Sequence, residues 1–269
     1  MSDAVGSFYD DMDLFYEAVW GGRLHAGLWA GPSDTSSLPE AQDRMTDLFV
    51  ERVRLGPGQR LLDVGCGAGA PTVRAARALD CRALGITVSR AQVLRASALA
   101  RAEGLSTRLA FLMADAQALP FGDALFDGAW ALESIFHVAD RCAALGEMRR
   151  VLRPGARLVL TDLVENQPLD ARQRGVTRAL QIASLVRPGQ YSAWLADSGL
   201  ECVETLDLSA GVRRSVAETI RAADARAGEL RAVYGDALYA AMRALLPELD
   251  AIYAEKLGYL LVVARRPPA

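Results

Sequence analysis

The residues whose types and spacing most clearly suggest a chemical role form a glycine-rich turn in the first third of the chain. Residues 61–69 read LLDVGCGAG, which is an apolar run, one acidic residue and three alternate glycines. Glycine lets the backbone turn sharply and approach a ligand closely. A helix that begins directly after such a turn adds free N–H groups and the positive end of its dipole. Between a strand and a helix, this pattern is typical of a nucleotide-like cofactor site.

The spacing of the glycines indicates which kind of cofactor would fit. A dinucleotide site requires GxGxxG and an acidic residue about 20 positions later for the ribose. Here the spacing is GxGxG, and the next predicted strand ends in GITVS (residues 85–89) without an acidic residue. A shorter cofactor without a pyrophosphate therefore fits better, and a nicotinamide-dependent oxidoreductase remains as a competing hypothesis.

The elements that must position this turn alternate between strand and helix. Apolar runs predict strands at 60–64, 82–88, 109–113, 126–132 and 156–161, and helical spacing predicts helices at 70–79, 90–102 and 140–152, with a turn at 153–155. Such alternation predicts a parallel sheet covered by helices on both faces.

Less regular segments flank this core. A helix is predicted from Leu38-Pro39 to about residue 54. After residue 162 we expect helices at about 169–186, 190–198, 213–234 and 236–255, and strands at 200–208 and 257–264. Pro247 is expected to kink or restart the last helix. We therefore divide the chain into an N-terminal segment (1–55), a cofactor-binding core (56–162) and a helical lid with the last two strands (163–269).

Composition excludes several classes of protein. The chain has 269 residues, of which 51% are hydrophobic and 23% charged, as in ordinary globular proteins. Its net charge of 30 − 33 = −3 argues against a nucleic-acid partner. Four scattered cysteines predict reduced thiols, a cytoplasmic location and no metal site. The acidic N-terminus does not resemble a targeting peptide, and no apolar run reaches the roughly 18 residues that a membrane span needs.

Seven segments, taken in order, carry a resemblance to a known family. They are WGGRLHAGLW (20–29), LLDVGCGAG (61–69), GITVSRAQV (85–93), ADAQALPF (114–121), WALESIFH (130–137), VLRPG (151–155) and LGYL (257–260). Together they resemble the class I S-adenosylmethionine-dependent methyltransferases, and among these the bacterial small-molecule methyltransferases of natural-product pathways. The resemblance implies a Rossmann-like α/β fold with a seven-stranded, mostly parallel sheet, one antiparallel strand, and an N-terminal helical segment that closes over the cofactor.

The resemblance also implies how the glycine-rich turn binds S-adenosylmethionine and the product S-adenosylhomocysteine. Gly65, Cys66, Gly67 and Gly69 would pass under the methionine part of the cofactor. Asp63 would help to hold its ammonium group, although it also fits the role of a hydrogen-bond acceptor within the turn.

Further cofactor contacts are implied at the ends of the next strands. Thr87 stands where the family usually has a ribose-binding acid, so Gln92 would serve the ribose hydroxyls, and both residues also fit a helix cap. Asp115 would accept a hydrogen bond from the adenine amino group beside the backbone of Ala116, or would cap a turn. Ala131 would offer its carbonyl oxygen to the ammonium group.

The resemblance assigns the remaining roles to five residues. His25 and Trp29, in the aromatic N-terminal segment, would close over the cofactor. His137 would be the base, and Asp162 would orient it or bind the acceptor, unless it only caps a strand end. Phe136 replaces the first of two adjacent histidines that related enzymes often carry, and fits either a cation-stabilising ring or ordinary packing.

The expected activity is O-methylation of a lipophilic secondary metabolite by in-line transfer, with a small-molecule acceptor and no metal. C-methylation of a prenyl or terpenoid compound stays open, because arginines of the lid would suit a diphosphate; these are Arg172, Arg174, Arg178, Arg187, Arg213 and Arg214. N-methylation, and a non-methylating cyclase or binding protein on the same fold, also stay open. A homodimer is compatible with the sequence.

Overall fold

A computed structural model describes residues 2–182 and 184–268. Its strands are β1 (Arg60–Val64), β2 (Arg82–Thr87), β3 (Leu109–Met113), β4 (Phe126–Ala131), β5 (Leu152–Glu165), β6 (Glu201–Asp207) and β7 (Leu257–Arg265). They form one sheet in the order β3-β2-β1-β4-β5-β7-β6. Strands β1 to β5 pair in parallel, whereas β7 is antiparallel to β5 and β6. The predicted Rossmann-like sheet of seven strands with one antiparallel strand is confirmed.

Helices cover both faces of the sheet and its carboxyl edge. They are α1 (Ser2–Asp11), α2 (Asp13–Trp20), α3 (Leu38–Val53), α4 (Ala70–Leu79), α5 (Arg90–Ala102), α6 (Arg141–Val151), α7 (Ala171–Ala179), α8 (Gln190–Asp197), α9 (Ser209–Val212), α10 (Ser215–Ala225) and α11 (Ala227–Glu255), with a 3₁₀ turn at Ile135–His137. None of the helices in the described part of the chain has both the length and the apolarity that a membrane crossing demands.

Side chains of the central strands alternate between two apolar cores, as parallel strands buried on both faces require. Trp130 of β4 packs with Met45 and Phe49 of α3 on one face. Its neighbours Ala129 and Ala131 pack in the core of the other face, which α6 and α8 cover. The site-bearing ends of the strands are thus held between two helical layers.

The structure corrects three predicted boundaries. The predicted turn at 153–155 is part of β5, because the N–H of Gly155 donates to the Arg266 carbonyl oxygen at 2.9 Å and extends the sheet. The helix predicted at 169–186 ends at Ala179. In α11 the backbone leaves the helical region at Gly235 (φ +76°), between the predicted helices 213–234 and 236–255, and not at Pro247 as expected.

The N-terminal helices and the lid helices form one cap over the sheet. Phe15 and Val19 of α2 share an apolar cluster with Ala223 of α10 and with Leu230 and Tyr239 of α11. The segments at the two ends of the sequence therefore meet above the carboxyl edge, where the site lies.

Candidate active site

The glycine-rich turn after β1 is built from left-handed backbone. Gly65, Gly67 and Gly69 have φ values of +80°, +52° and +88°, a region that side chains with a Cβ rarely adopt. The N–H groups of Gly65 and Cys66 both donate to the Ile86 carbonyl oxygen, at 2.8 and 2.9 Å. A Cβ on Gly65 would lie 2.1 Å from the Ser134 Cβ. The turn thus passes tightly under the residues that follow β4.

A groove follows the carboxyl ends of the first four strands, the usual ligand position in such sheets. The first residues after β1, β2, β3 and β4 all line it, namely Gly65, Val88, Ala114 and Leu132. Seven of the residues implied by the resemblance also line the groove: Gly65, Gly67, Thr87, Gln92, Asp115, Ala116 and His137.

The two ribose-site candidates, Thr87 and Gln92, do not provide the side chain that caps helix α5. Ser89 caps α5, since its hydroxyl accepts from the Gln92 N–H at 3.1 Å. The Thr87 hydroxyl donates to Gln92 Oε1 at 2.6 Å, which fixes the side-chain amide beside the groove. Within the described residues the Gln92 Nε2 has no hydrogen-bond partner, so it can donate to a ligand hydroxyl.

The adenine-site candidate, Asp115, closes a turn with one of its two carboxylate oxygens. Asp115 Oδ1 accepts from the Gln117 N–H at 2.9 Å and so closes a turn. Its Oδ2 has only a 3.4 Å contact with Gln117 Nε2. The capping role therefore leaves an acceptor at the groove, as an exocyclic amine requires. Together with the Gln92 amide and the glycine turn, this donor and acceptor set fits S-adenosylmethionine.

Four of the cofactor candidates shape the site without lining it. Asp63 lies buried under the turn, where it accepts from the Thr72 hydroxyl at 2.6 Å, and burial raises its pKa to about 6. Cys66 and Gly69 support the same turn, and Ala131 is fully buried at the end of β4. Asp63 therefore ties β1 to α4.

His25 and Trp29, which the resemblance places over the cofactor, do not line the groove in this structure. Both are buried, at 2% and 3% exposure. His25 Nε2 lies 3.3 Å from the Thr46 hydroxyl of α3, and Trp29 Nε1 donates to the Ser36 carbonyl oxygen at 2.9 Å. This segment runs against α3, so His25 faces that helix while its neighbour Leu24 lines the site.

A second cavity, of about 680 Å³, adjoins the groove beneath the cap. This volume is typical of a small-molecule site. Its walls are mainly aromatic and aliphatic side chains of α1, α2, α10 and α11, among them Phe8, Phe15, Tyr16, Trp20, Met242, Leu245 and Tyr253. We refer to it as the acceptor cavity. Its charged lining side chains among the described residues are Asp11 and Glu133, and both are acidic.

Four residues line both the groove and the acceptor cavity: Tyr9, Leu24, Glu133 and His137. They mark the junction at which a group carried in the groove would meet a molecule in the cavity. Of these four residues, only His137 was expected at this place from the sequence.

His137 presents a neutral, basic nitrogen at the junction. Its Nδ1 lies 2.8 Å from the Gln181 carbonyl oxygen. A carbonyl only accepts, so Nδ1 carries the proton and Nε2 keeps its lone pair. The Tyr9 hydroxyl, 2.8 Å from Nε2, must therefore donate to it. Burial lowers the pKa of His137 to about 4, which keeps the ring neutral at physiological pH.

The structure does not bring Asp162 to His137, which corrects the expected pairing. Asp162 accepts from Arg141 Nε at 2.6 Å and from the Tyr191 hydroxyl at 2.7 Å, and it lines neither cavity. The buried Arg141 guanidinium pairs with the Asp162 carboxylate. Without this partner the carboxylate would be an isolated buried charge, which is energetically costly. Arg141 also donates to the Ser184 carbonyl oxygen at 2.7 Å, so the ion pair supports the loop near Gln181.

Glu133 is one of the junction residues that sequence reasoning missed. Its φ of +49° is unusual for a residue with a side chain, and such strain clusters at functional positions. Glu133 Oε1 accepts from the Ala26 N–H at 2.6 Å and from the Tyr259 hydroxyl at 2.5 Å. The carboxylate thereby fastens the segment around Leu24 to β7. The sequence contains a signal for it, because Glu133 is an acidic residue directly after the predicted strand 126–132 and inside the 130–137 motif.

Replacing Glu133 by glutamine tests the electrostatics of this junction. Burial raises the pKa of Glu133 from 4.5 to about 7. The folded state thus binds this proton more tightly than the unfolded state, and the stability due to Glu133 falls as pH rises from about 4.5 to 7. Glutamine keeps an acceptor oxygen and cannot ionise. We expect Glu133→Gln to gain about 2–3 kcal/mol over the wild type between pH 5 and pH 8 in chemical unfolding.

Glu133→Ala is the matched control, since it removes the acceptor for Ala26 and Tyr259 along with the charge. We expect it to be less stable than Glu133→Gln at both pH values. A stability difference between wild type and Glu133→Gln that does not change with pH would show that the carboxyl group ionises normally.

Comparison with known proteins agrees with this geometry. A family model described as a methyltransferase domain matches residues 62–160. The chain is 38% identical to the (+)-O-methylkolavelool synthase of Herpetosiphon aurantiacus, over 97% of this chain and 93% of that protein. It is 37% identical to the 27-O-demethylrifamycin SV methyltransferase of Amycolatopsis mediterranei, over 98% and 97%.

A solved structure shares the complete architecture. The crystal structure of the [4+2]-cyclase SpnF superposes with a TM-score of 0.89 at 33% identity, covering 100% of this chain and 98% of that one. The groove at the strand ends, the glycine-rich turn and similarity along nearly the entire length lead to one conclusion: the chain belongs to the class I S-adenosylmethionine-dependent methyltransferases, in the group that contains O-methyltransferases of secondary metabolism.

Proposed function

We propose that this methyltransferase methylates a hydroxyl group of an apolar, uncharged small molecule, with His137 as the base. The observation that carries the proposal is the His137 Nε2 lone pair at the junction between the groove and an apolar cavity. S-adenosylmethionine supplies a methyl group that its sulfonium already makes electrophilic. The protein's task is then to orient the acceptor, exclude water and take up a proton.

Different groove residues bind different parts of S-adenosylmethionine in this proposal. The glycine turn lies under its methionine part, Gln92 serves the ribose and Asp115 the adenine. Leu24 separates this end of the groove from the acceptor cavity: a Cβ on Gly67 would touch its Cδ1 at 3.0 Å. The apolar walls keep water from the reacting oxygen, so positioning rather than strong base chemistry provides most of the rate.

A weak base is sufficient for this reaction. An alcohol oxygen becomes strongly acidic only as its bond to the methyl carbon forms, so a histidine with a pKa of about 4 can still accept its proton. The neutral ring also avoids placing a second positive charge beside the sulfonium before transfer.

The charges of the acceptor cavity favour an uncharged acceptor over a diphosphate. No Lys or Arg side chain is among the described residues that line it, and its carboxyl groups, Asp11 and Glu133, repel an anion when they are ionised. Three of the six lid arginines pair with carboxylates elsewhere: Arg172 with Glu248, Arg174 with Glu165 and Arg214 with Glu218. None of the six lid arginines lines the acceptor cavity as the structure describes it. C-methylation of a diphosphate is therefore disfavoured, because the lid arginines that were expected to bind the diphosphate do not line the cavity.

A matched pair of ligands tests this inference about charge. We expect geranylgeraniol to bind at least tenfold more tightly than geranylgeranyl diphosphate, because the diphosphate has no cation to meet. Trp20 lines the cavity, so quenching of tryptophan fluorescence reports occupation. Tighter binding of the diphosphate would contradict the assignment of an uncharged acceptor.

Methyl transfer itself requires a panel of apolar alcohols, terpenoid and polyketide, incubated with methyl-labelled S-adenosylmethionine. Carbon NMR of the product distinguishes a methoxy group from a methyl on carbon or nitrogen. A methoxy product supports the proposal, whereas a C-methyl or N-methyl product overturns it.

The similarity to the [4+2]-cyclase SpnF supports a second candidate, a cyclase on the same fold. An apolar cavity of about 680 Å³ would also suit folding of a polyene into a ring. Here the alcohol panel would yield no labelled product even though S-adenosylhomocysteine binds. Cyclisation of a linear polyene without consumption of S-adenosylmethionine would favour this candidate.

A further inference from the structure

We propose that Tyr9 is a second catalytic residue, which relays the proton of the acceptor hydroxyl to His137. This inference rests on the proposed O-methylation and adds to it a residue that the sequence did not single out. Its basis is the position of the Tyr9 hydroxyl between the acceptor cavity and the basic nitrogen.

The Tyr9 hydroxyl occupies the one lone pair that His137 has to offer. It lies 2.8 Å from His137 Nε2, and the two rings meet edge to face with centroids 5.4 Å apart. Because Nδ1 is bound to the Gln181 carbonyl, an acceptor hydroxyl cannot bond to the imidazole directly while Tyr9 stays in place. Tyr9 lines both the groove and the acceptor cavity, so the hydroxyl oxygen is within reach of an acceptor at the junction.

Helix α1 holds Tyr9 firmly, which favours relay over displacement. Asp10, the next residue, accepts from the Ser89 hydroxyl at 2.5 Å and from the Ala91 N–H at 3.0 Å at the start of α5. On the other side, Gly6 approaches the backbone so closely that a Cβ would lie 2.5 Å from the Val88 carbonyl oxygen. A helix fixed at both points cannot swing Tyr9 away without losing these contacts.

The protonation states allow the transfer in one direction. Burial, together with the nearby Tyr16 and Glu133, raises the pKa of Tyr9 well above its ordinary value, so the phenol stays protonated and donates to His137. Its oxygen keeps lone pairs that can accept from an acceptor hydroxyl. The proposed hydrogen bonds therefore run from the acceptor O–H to Tyr9 Oη and from the Tyr9 O–H to His137 Nε2.

The step balances without any further reactant. The acceptor oxygen forms a bond to the methyl carbon as the carbon–sulfur bond breaks, and sulfur keeps that electron pair. The acceptor proton moves to Tyr9 Oη while the phenol proton moves to His137 Nε2. The positive charge leaves the sulfonium and ends on the imidazolium, which then releases its proton to water because its pKa is low.

Tyr9→Phe is the decisive variant, since it removes one oxygen and keeps the ring. A relay predicts that kcat on the best alcohol of the panel falls about 10²-fold, while the dissociation constant of S-adenosylhomocysteine stays within twofold. Tyr9→Phe combined with His137→Ala should be no slower than His137→Ala alone, because both side chains serve one proton path. Tyr239→Phe is the matched control: this buried tyrosine of α11 lines neither cavity.

Nitrogen NMR of the free protein gives a readout independent of turnover. The chain contains two histidines, so the His137 ring nitrogens can be assigned by comparison with a His25 variant. We expect Nδ1 to be protonated and the Nε2 resonance to move toward that of an unbonded imidazole nitrogen in Tyr9→Phe. An unchanged Nε2 resonance would overturn the relay, because the hydrogen bond on which it depends would be absent.

The kinetic outcomes separate this inference from the proposed function. If His137→Ala loses activity but Tyr9→Phe keeps the wild-type kcat or exceeds it, Tyr9 only covers the base and the relay is wrong while O-methylation stands. If His137→Ala keeps full activity, or no methoxy product forms, the proposed function itself fails.

Discussion

Replacing His137 by alanine is expected to lower kcat by about 10²- to 10⁴-fold, the range that removal of a general base usually costs. The dissociation constant of S-adenosylhomocysteine, measured by calorimetry, should stay within about threefold, because His137 lies at the end of the groove that faces the acceptor cavity. A loss confined to cofactor affinity, with kcat unchanged, would sink the assignment of His137 as base.

The pH profile of the wild type adds a second signature of His137. Its base form is neutral and is lost only as pH falls through a pKa of about 4. We therefore expect no decline of kcat/KM from this group between pH 8 and pH 5, where an ordinary histidine would already be protonated. His25→Gln serves as the control: burial lowers the pKa of His25 equally, to about 4, but that ring faces α3, so kcat should change by less than about threefold.

Replacing Gly65 by alanine should have the second largest effect. A side chain at φ +80° costs about 1–2 kcal/mol, and its Cβ would stand 2.1 Å from the Ser134 Cβ, which requires the turn or the segment after β4 to shift. Overpacking of this kind adds roughly 1–3 kcal/mol. Because the shift occurs in the groove lining, we expect affinity for S-adenosylhomocysteine to fall by about 10²-fold, together with a clear drop in Tm.

Gly58→Ala isolates the backbone contribution. Gly58 has a nearly equal φ of +75°, but no atom lies within 4 Å of an added Cβ, and it is remote from the groove lining. We expect a Tm lower by a few degrees and unchanged S-adenosylhomocysteine affinity. Equal losses in both variants would mean that the Gly65 turn has room to adjust and is not closely fitted under Ser134.

Local signals were sufficient for the core of the fold. Strand and helix periodicity located β1, β2, β3 and β4 and the helices α4 and α5 to within one or two residues, since each is a short segment with a clear apolar pattern of its own. The glycine-rich turn could be assigned to a cofactor for the same reason: its conformation depends on its own residues. The resemblance to class I methyltransferases, confirmed by the relatives, followed from motifs of this local kind.

Side-chain direction was what the sequence left undetermined. His25 and Trp29 lie in a matching motif, yet in a segment without regular structure nothing local decides which side faces the site. His25 contacts Thr46 of α3, and Trp29 packs in an apolar cluster with residues of the same helix. Asp162 was expected at the end of the strand beside β4, but β5 continues to Glu165, and Arg141, which is 21 residues away in sequence, binds the Asp162 carboxylate. Each of these outcomes depends on a partner that is distant along the chain.

The sequence by itself determined that a parallel sheet carries a glycine turn for a cofactor, because backbone geometry and apolar periodicity are local properties. Only the tertiary structure decided which groups meet at the junction. Tyr9 and His137 are 128 residues apart, and Glu133 and Tyr259 are 126 apart. Such pairs form because the cap closes over the strand ends and removes water from polar groups, which must then find partners in one another.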